Sequence, residues 1–253
     1  MDIRQARREY KFRLGGEQVL GALEEIRDRL PGDANGACGA YPIVSEYYDT
    51  AGRDAWWERD RKVGNRRRLR VRIYGLSNGA IPPAAFLEVK HKQDGVGVKR
   101  RISVPVEEVT KAQFDMGDLI RERRPQMTLR RDLALAEEIL RLVGEGGVVP
   151  TMQMRYERQA FEMSGVRITF DGGIKCRLGR LPLRPDDRDF PLDVLAPDER
   201  IMEVKLLGSA PYWLREIVAR HRLSRTPFSK YGAALERYDP VLGRVMGRLV
   251  RRP

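Results

Sequence analysis

The chain has 253 residues, and its 48 lysines and arginines against 36 acidic residues give a formal net charge of +12 at pH 7. This basic balance, with an ordinary apolar content of 42%, predicts a globular protein that binds a polyanion: nucleic acid, an anionic membrane surface or a phosphate-rich ligand. No run of about 18 apolar residues is present, so no membrane-spanning helix is expected. The first residues contain no apolar stretch of signal-peptide length, and we therefore expect a cytoplasmic protein.

Polar and apolar residues alternate with period two in eight segments, as they do in half-buried β-strands. The predicted strands are Arg8–Leu14, Ile43–Tyr48, Arg66–Tyr74, Ala85–Lys92, Gly97–Val104, Met152–Phe161, Gly165–Ile174 and Arg200–Leu206. Helical spacing and helix-ending residues predict five helices between and after them. The predicted helices are Glu17–Leu30, Glu107–Arg121, Leu129–Val143, Ala210–His221 and Lys230–Arg237. Because strands and helices are interspersed along the chain, we expect one α+β domain over residues 1–239, followed by a basic tail at residues 240–253.

The two cysteines, Cys38 and Cys176, are far apart in the sequence and belong to no Cys-x-x-Cys or Cys/His cluster. This spacing argues against a zinc site. So low a cysteine content is typical of a reducing compartment, although the sequence leaves a single bridge between the two cysteines open.

The charged residues of the predicted strands lie on one face. In the strand Arg66–Tyr74 every second residue from Arg66 to Arg72 is an arginine, and Leu69, Val71 and Ile73 on the other face are apolar. The charged face recurs in about seven strands and is mostly cationic. Its residues are Glu9, Lys11, Arg13, Arg66, Arg68, Arg70, Arg72, Glu88, Lys90, Lys92, Lys99, Arg101, Arg158, Arg167, Asp171, Glu203 and Lys205, with Tyr156 on the same side of its strand as Arg158.

Two arrangements explain such a face. The simpler one is an ordinary half-buried sheet whose polar side is in water. A solvated face usually mixes charges of both signs, however, because like charges on neighbouring strands repel. A concentration of positive charge favours an antiparallel β-barrel that encloses the charged face as a tunnel, with helices packed on its apolar outside. Inside such a tunnel the reduced dielectric strengthens the attraction for polyanions.

Nine segments, in this order, resemble the VTC domain, the polyphosphate polymerase domain of vacuolar transporter chaperone proteins that is also found in bacteria. They are RREYKF, YPIVSEYYDT, RRLRVRIY, FLEVKHK, VKRRISV, RYERQAF, RITFDGGI, IMEVKLL and FSKYGAALE, and they extend from about Arg8 to Glu236. Each segment is weakly specific alone, but the ordered set ending in FSKY is specific. The domain belongs to the CYTH-like, or triphosphate tunnel metalloenzyme, superfamily.

The resemblance implies an antiparallel barrel with a tunnel, ATP as phosphoryl donor, polyphosphate as product, and Mn²⁺ or Mg²⁺ as cofactor. It implies that the catalytic cations are Arg70, Arg72, Lys90, Arg158, Arg167 and Lys230. Further substrate contacts are expected from Lys11, Lys99, Tyr156 and Ser229, and strand parity adds Arg68, Arg101 and Lys205. Glu203 of the IMEVK segment corresponds to the family's metal-binding glutamate, with Glu9 or Glu88 as a second ligand; a plain ion pair between Glu203 and Lys205 is the alternative.

Two departures from the family pattern exclude some of the superfamily's activities from what we expect of this chain. The CYTH signature Glu-x-Glu-x-Lys is replaced here by Arg7-Arg8-Glu9-Tyr10-Lys11, which argues against a thiamine-triphosphatase or adenylate-cyclase site. No SPX domain precedes the barrel and no membrane segment follows it, so regulation by inositol phosphates and transport through this chain are not expected.

The preferred function is therefore a metal-dependent polyphosphate polymerase. The same tunnel suits a triphosphatase or polyphosphatase, although no base for activating water is evident, or a polyphosphate-binding module without activity. A nucleic-acid interface would need outward basic residues among aromatic ones and is disfavoured. Asp171 is expected to neutralise Arg167. Residues 240–253 have two interpretations. They form a short amphipathic helix that contacts an anionic membrane or a membrane-protein partner, or they are a frayed basic tail.

Overall fold

The computed structural model describes residues 7–34, 39–93 and 96–243. Within these ranges the strands are β1 (Arg7–Leu14), β2 (Tyr41–Asp49), β3 (Arg66–Tyr74), β4 (Ala84–Gln93), β5 (Val96–Pro105), β6 (Val149–Met163), β7 (Val166–Arg177), β8 (Leu192–Asp193) and β9 (Arg200–Leu207). The α-helices in the same ranges are α1 (Gly16–Arg27), α2 (Asp54–Asp60), α3 (Val106–Val109), α4 (Met116–Arg123), α5 (Arg130–Val143), α6 (Tyr212–Arg220) and α7 (Lys230–Tyr238).

All strands belong to one antiparallel sheet with the order β1-β9-β7-β6-β2-β3-β4-β5, and β8 pairs with β7. The sheet curls into a half-barrel. Lys90 on β4 interacts electrostatically with Glu9 and Lys11 on β1, although five strands separate β1 from β4 along the sheet. The concave side is called the lumen below. The predicted α+β fold, an antiparallel curled sheet with outer helices, is confirmed.

The convex side of the sheet is apolar and is covered by helices. On β3, β4 and β5 it packs against α4 and α5, where Ile120 and Ile139 are fully buried. On β1, β7 and β9 it packs against α1 and α6. Truncating one such side chain to alanine typically costs about 2–5 kcal/mol of the free energy of unfolding. This packing leaves the charged residues of alternate parity on the lumen side.

The last helix, α7, packs on the lumen side of β2 and β6. Tyr231 of α7 stacks on Tyr47 of β2 with ring centroids 5.0 Å apart, and Leu235 is fully buried beside them. The segment before α7 runs beside the edge of β1, since Thr226 N donates to Lys11 O at 2.9 Å. The helix therefore fills one part of the lumen, and the preceding segment covers the edge of the sheet at β1.

The predicted elements agree with the structure, with one error and two omissions. Strand Arg66–Tyr74 is confirmed residue for residue, and the other seven strands agree within three residues at each end. The single helix predicted over Glu107–Arg121 is wrong, because α4 begins separately where the Asp115 side chain accepts from Asp118 N at 2.9 Å. Helix α2 and strand β8 were not predicted, both being short.

No helix in the described ranges is long and apolar enough to cross a membrane. Cys176 is a free, buried thiol, whereas Cys38 and most of the basic tail, from residue 244, lie outside the described residues. The turn that joins β6 to β7 consists of Ser164 and Gly165, which have φ angles of 49° and 79°. Positive φ at both positions is the conformation of a two-residue hairpin turn that matches the twist of the strands.

Candidate active site

The strands β3, β4 and β5 place a cationic stripe on the lumen wall. Arg70 donates to Glu88 Oε2 from Nε at 2.8 Å and from Nη2 at 2.6 Å, and Lys99 Nζ lies 3.0 Å from Glu88 Oε1. Glu88 is 1% exposed. Burial disfavours its charge, but Arg70, Arg72 and Lys99 outweigh this effect and hold the pKa of Glu88 below its ordinary value. Both carboxylate oxygens of Glu88 are thus occupied by cations.

Arg72 is a buried cation of the lumen without a carboxylate beside it in the described residues. It is 5% exposed, it donates from Nε to Ser45 Oγ at 2.9 Å, and it lies over the rings of Tyr74 and Tyr156. No carboxylate lies within salt-bridge distance of it in the described residues. Although burial opposes the charge, the surrounding tyrosines and Glu88 raise the pKa of Arg72 above its ordinary value, so it stays charged.

Lys90 and Arg68 form the next pair of cations along the stripe and are directly paired across β3 and β4. Arg68 Nη1 donates to Ser229 Oγ at 3.2 Å. Desolvation inside the lumen lowers the pKa of Lys90; Lys11 and Arg70 lower it further, while Glu9 and Glu203 act against them. Among the described residues neither cation has a carboxylate within salt-bridge distance. Both remain able to bind an anion.

On the opposite wall, Asp171 clamps two cations. Arg158 donates to it from Nε and Nη2 at 2.6 and 2.7 Å, and Lys230 Nζ lies 2.6 Å from Asp171 Oδ2. Asp171 is fully buried, yet the two cations overcome the desolvation and lower its pKa to about 2. Both cations also lie over the ring of Tyr156.

The expected pairing of Asp171 with Arg167 is wrong. Arg167 instead binds Asp33 at 2.8 Å and Glu162, which is its direct partner across β6 and β7. Strand parity places Arg167 and Asp171 on one face but does not give their separation along the strand. Arg158 is opposite Asp171 in the register and therefore takes the ion pair.

The FSKY segment, whose position strand parity could not give, lies across the lumen. Lys11 Nζ donates to Phe228 O at 3.2 Å, and Ser229 caps α7 by accepting from Gly232 N at 3.2 Å. Tyr231 Oη donates to Asp49 Oδ2 at 2.8 Å. The segment thus connects β1, β2, β3 and β7, and it brings Ser229 and Lys230 to the predicted phosphate-binding residues.

Glu203 lies between β1 and β7 with two lysines around it. Lys205 Nζ is 2.5 Å from Glu203 Oε1, and Lys11 Nζ is 3.8 Å from Glu203 Oε2 and 3.3 Å from Glu9 Oε1. Although burial acts in the opposite direction, Lys205, Lys11 and Lys230 hold the pKa of Glu203 below its ordinary value. Thr169, the direct partner of Glu203 across β7 and β9, has a buried hydroxyl without a hydrogen-bond partner in the described residues.

The oxygens of Glu203, Glu9 and Thr169 could supply part of the coordination of a hard divalent cation. The described residues contain no group of three or more His, Cys, Asp or Glu side chains that could hold a metal, so Glu88 does not join Glu9 and Glu203 in one site. Mg²⁺ is usually bound through one or two carboxylates together with substrate phosphates. Glu203, with Thr169 opposite and Glu9 near it, offers a donor set of this kind.

Other predicted residues lie nearby. Arg101 stacks on Phe86, with its guanidinium carbon 4.3 Å from the ring centroid. Tyr47, which packs on Tyr231, also faces Arg70 in the lumen, with Arg70 Nη1 and Tyr47 Oη 3.3 Å apart. Burial alone would raise its pKa, but Arg70, Arg72 and Lys230 lower the pKa of Tyr47 to about 8. The lumen-facing parity of Tyr47 with Ser45 was the available signal.

Three comparisons place this architecture among known proteins. Residues 6–238 match a family model described as the VTC domain. A curated relative, Vacuolar transporter chaperone complex subunit 4 of Schizosaccharomyces pombe, is 30% identical over 237 residues. The alignment covers 79% of this chain and 32% of that protein, so this chain spans about a third of the relative's length.

Two solved structures are distantly similar to this chain. A protein provisionally described as an adenylate cyclase from Bacillus halodurans has a TM-score of 0.49 at 11% identity, covering 89% of this chain and 94% of its own. One with the same provisional description, from Vibrio parahaemolyticus, has a TM-score of 0.45 at 14% identity, covering 90% and 97%. Similarity at this level indicates neither ligand nor activity.

Proposed function

This chain belongs to the VTC domain family, and from that membership and the charges of its lumen we propose that it is a polyphosphate polymerase. It transfers the γ-phosphate of ATP to the end of a growing polyphosphate chain and uses Mn²⁺ or Mg²⁺. The lumen, rather than the outer surface, is the site of the reaction.

The observation that carries the proposal is the state of Arg72. This guanidinium is 5% exposed and stays charged, although no carboxylate lies within salt-bridge distance of it among the described residues. Arg68 lies two residues before Arg70 on β3, and Lys90 is its direct partner on β4. Among the described residues, neither of these cations has a carboxylate within salt-bridge distance. A polyanion along this stripe supplies the missing counter-charge, and Arg binds phosphate oxygens in pairs through its planar fork.

The reaction needs positioning and charge neutralisation more than covalent help from the protein. Arg70, Arg72 and Arg158 bind the triphosphate and hold it in line with the chain end. An oxygen of the terminal phosphate of the chain attacks the γ-phosphorus, the bond from that phosphorus to the bridging oxygen breaks, and ADP leaves with the electron pair. No proton is removed from the attacking phosphate, so the polymerase needs no general base.

Charge on the leaving phosphate rises during this step. We assign its neutralisation to Lys230 and Lys99, which Asp171 and Glu88 would share with the phosphate. Glu203, Thr169 and Glu9 would hold a divalent cation, which would supply positive charge against the negative charge that develops on the phosphates. The ion pairs of Glu203 with Lys205 and Lys11 keep this carboxylate charged when no cation is bound.

Incubation of the purified chain with ATP and Mn²⁺ tests the proposal. Long polyphosphate resolved on a gel, together with ADP in equal amount to the phosphate incorporated, is expected. Chains should be absent when the metal is chelated and when Glu203 is replaced by Gln. Free phosphate without chains would contradict the polymerase assignment and indicate hydrolysis instead.

One observation favours hydrolysis of triphosphate or polyphosphate as a second candidate. The Tyr47 hydroxyl faces Arg70 in the lumen, and its pKa is lowered to about 8, so a fraction is ionised near neutral pH. A phenolate beside the triphosphate can accept a proton from an attacking water. Tyr47→Phe would then reduce phosphate release while leaving chain synthesis intact.

The wider assembly is also a proposal. The relative from Schizosaccharomyces pombe is a subunit of a complex, and we expect this chain to act with a partner as well. Its basic tail is the segment proposed for contact with an anionic membrane or a membrane-protein partner. Loss of co-sedimentation with anionic vesicles after removal of residues 244–253 would support this assignment; unchanged sedimentation would contradict it.

A further inference from the structure

Asp49, the last residue of β2, is a buried carboxylate that connects three elements of the fold. It is 1% exposed. Its Oδ1 accepts from Thr50 N at 2.8 Å and from Ala55 N at 3.0 Å, and these bonds attach the first turn of α2 to the end of β2. Its Oδ2 accepts from the Tyr231 hydroxyl of α7 at 2.8 Å. The function proposed above uses none of these contacts.

The surroundings of Asp49 oppose its charge. Desolvation raises the pKa of this carboxyl, and the hydrogen bonds from Ala55, Tyr231 and Thr50 act against that shift. A buried acceptor specifies one arrangement of its donors, because a donor that moves away leaves a buried polar group unsatisfied. The carboxylate therefore fixes the places of α2 and α7 relative to the end of β2.

Tyr231 is the residue through which Asp49 acts on the lumen. Lys230, which the proposed mechanism assigns to charge neutralisation, directly precedes it in the first turn of α7. The Tyr231 ring stacks on Tyr47 with the two ring planes 14° apart, and the Thr151 hydroxyl also interacts with the Tyr231 oxygen. Stacked rings tolerate a range of offsets, so the hydrogen bond to Asp49 sets where along the stack Tyr231 lies.

A second attachment holds the other end of α7. Arg53 donates from Nε and Nη2 to Asp239 Oδ2 at 3.0 and 2.9 Å, and Asp239 is buried. Arg53 has a φ of 65°, in the left-handed region that is strained for a residue other than glycine, so this contact is kept at a local cost. Asp239 follows Tyr231 by eight residues, or about 12 Å of helix. Of these two attachments, the one made by Asp49 is at the end of α7 that enters the lumen.

We propose that Asp49 is a positioning residue for phosphate binding. Through the Tyr231 hydroxyl it holds the first turn of α7 where Ser229 and Lys230 contact the substrate phosphates, and it touches no substrate itself. This inference rests on the proposed function, since it assigns a role at the same site. If the carboxylate only stabilised the fold, every folded variant would bind phosphate as the wild type does.

The test cuts the contact from either side. Tyr231→Phe keeps the stacked ring and removes the hydroxyl, whereas Asp49→Asn replaces the Oδ2 acceptor by an amide group and leaves Oδ1 to accept from α2. Both variants and their combination are titrated by calorimetry with inorganic tripolyphosphate, at a temperature where thermal unfolding shows that each is folded. The matched control is Asp239→Asn, which breaks the buried ion pair with Arg53 at the other end of the helix. If Asp49→Asn does not fold, Tyr231→Phe decides alone.

The affinity for tripolyphosphate should fall several-fold, up to about tenfold, in each single variant, because losing a hydrogen bond to a charged group lowers the population of the binding arrangement. Removing the negative charge of Asp49 would by itself strengthen the binding of a polyanion, so a fall in Asp49→Asn reports a change of position. The combined variant should lose no more than the larger single loss, since both substitutions cut one contact. Asp239→Asn should unfold at a lower temperature but bind tripolyphosphate as the wild type does.

A spectroscopic measurement follows Lys230 itself. Lys230 is one of the cations that lower the pKa of Tyr47 to about 8, so its displacement should move the Tyr47 titration to higher pH in Tyr231→Phe but not in Asp239→Asn. An unchanged affinity or an unchanged Tyr47 titration in Tyr231→Phe would overturn this inference alone. Additive losses in the combined variant, or an equal loss of affinity in Asp239→Asn, would also overturn it alone. A wild-type chain that does not bind tripolyphosphate would overturn the proposed function and this inference with it.

Discussion

Lys230 Nζ lies 2.6 Å from Oδ2 of Asp171, which is fully buried. This contact attaches the first residue of α7 to β7, and Arg158 shares the same carboxylate. Two cations assigned to phosphate binding are thus held beside each other by one internal anion. Without it they would repel each other, and the helix that fills part of the lumen would lose one of its polar contacts with the sheet.

Replacing Asp171 by Asn should destabilise the chain strongly. The amide keeps the shape but leaves two buried cations without a counter-charge, a change that typically costs about 3–5 kcal/mol of the free energy of unfolding. Urea unfolding measures it. The control is Asp186→Asn, which removes an exposed ion pair with Arg184 and should change stability by less than about 1 kcal/mol.

The ion pairs of Asp171 should also make the free energy of unfolding depend on pH in acid. The folded pKa of Asp171 is about 2, below its ordinary value of 3.8. A depressed pKa contributes stability above the unfolded value, which is lost as the pH falls from about 4 towards 2. The wild-type chain should lose about 2 kcal/mol more over this interval than Asp171→Asn does. Parallel loss in both chains would contradict the ion-pair assignment.

Replacing Arg72 by Lys should weaken triphosphate binding on the order of tenfold, because an ammonium cannot bind two phosphate oxygens in one plane. The charge is kept, so long-range attraction stays similar. Calorimetric titration with tripolyphosphate measures the change. Arg131→Lys on the exposed side of α5 is the control and should bind as the wild type does. Unchanged affinity in Arg72→Lys would remove Arg72 from the phosphate contacts.

The sequence predicted which face of the sheet carries these charged residues, but it did not predict which residues form ion pairs with each other. Period-two alternation placed Arg70, Arg72, Glu88 and Lys99 on one face, because parity is a property of each strand by itself. The pairing of Asp171 with Arg158 rather than Arg167 depends on the register between β6 and β7, and no local pattern encodes that register. The resemblance to the VTC domain, rather than periodicity, pointed to Ser229 and Lys230.

Other features depend on contacts between distant parts of the chain. Tyr47 faces Arg70 as well as packing on Tyr231, and its lowered pKa results from cations contributed by β3 and α7. Helix α2 has seven residues and was not predicted. Short helices carry too few residues to show a period, so α2 becomes visible only in three dimensions.

Replacing Thr169 by Val should weaken metal binding without destabilising the fold. The Thr169 hydroxyl is buried and has no hydrogen-bond partner among the described residues, so removing it should leave the free energy of unfolding unchanged or raise it. The concentration of Mn²⁺ that gives half-maximal turnover should rise several-fold. Glu203→Gln should abolish turnover but spare tripolyphosphate binding.

Two measurements test whether Thr169 and Glu203 bind the metal or only stabilise the fold. Urea unfolding of Thr169→Val shows whether the hydroxyl is structural, and the exposed Thr128→Val is its control. A loss of stability in Thr169→Val with an unchanged Mn²⁺ requirement would contradict the metal assignment. Unchanged turnover in Glu203→Gln would remove Glu203 from the metal site.

Tyr47 should report occupancy of the lumen through its ionisation. Its pKa of about 8 is below the ordinary value of 10.0, because Arg70, Arg72 and Lys230 favour the phenolate more than burial disfavours it. A triphosphate bound to these cations offsets their charge and should raise the pKa of Tyr47. Ultraviolet titration of the phenolate band, with and without tripolyphosphate, measures this, and Tyr47→Phe identifies the signal. A titration near pH 8 that tripolyphosphate leaves in place would contradict binding at Arg70, because Arg70 Nη1 lies 3.3 Å from the Tyr47 hydroxyl.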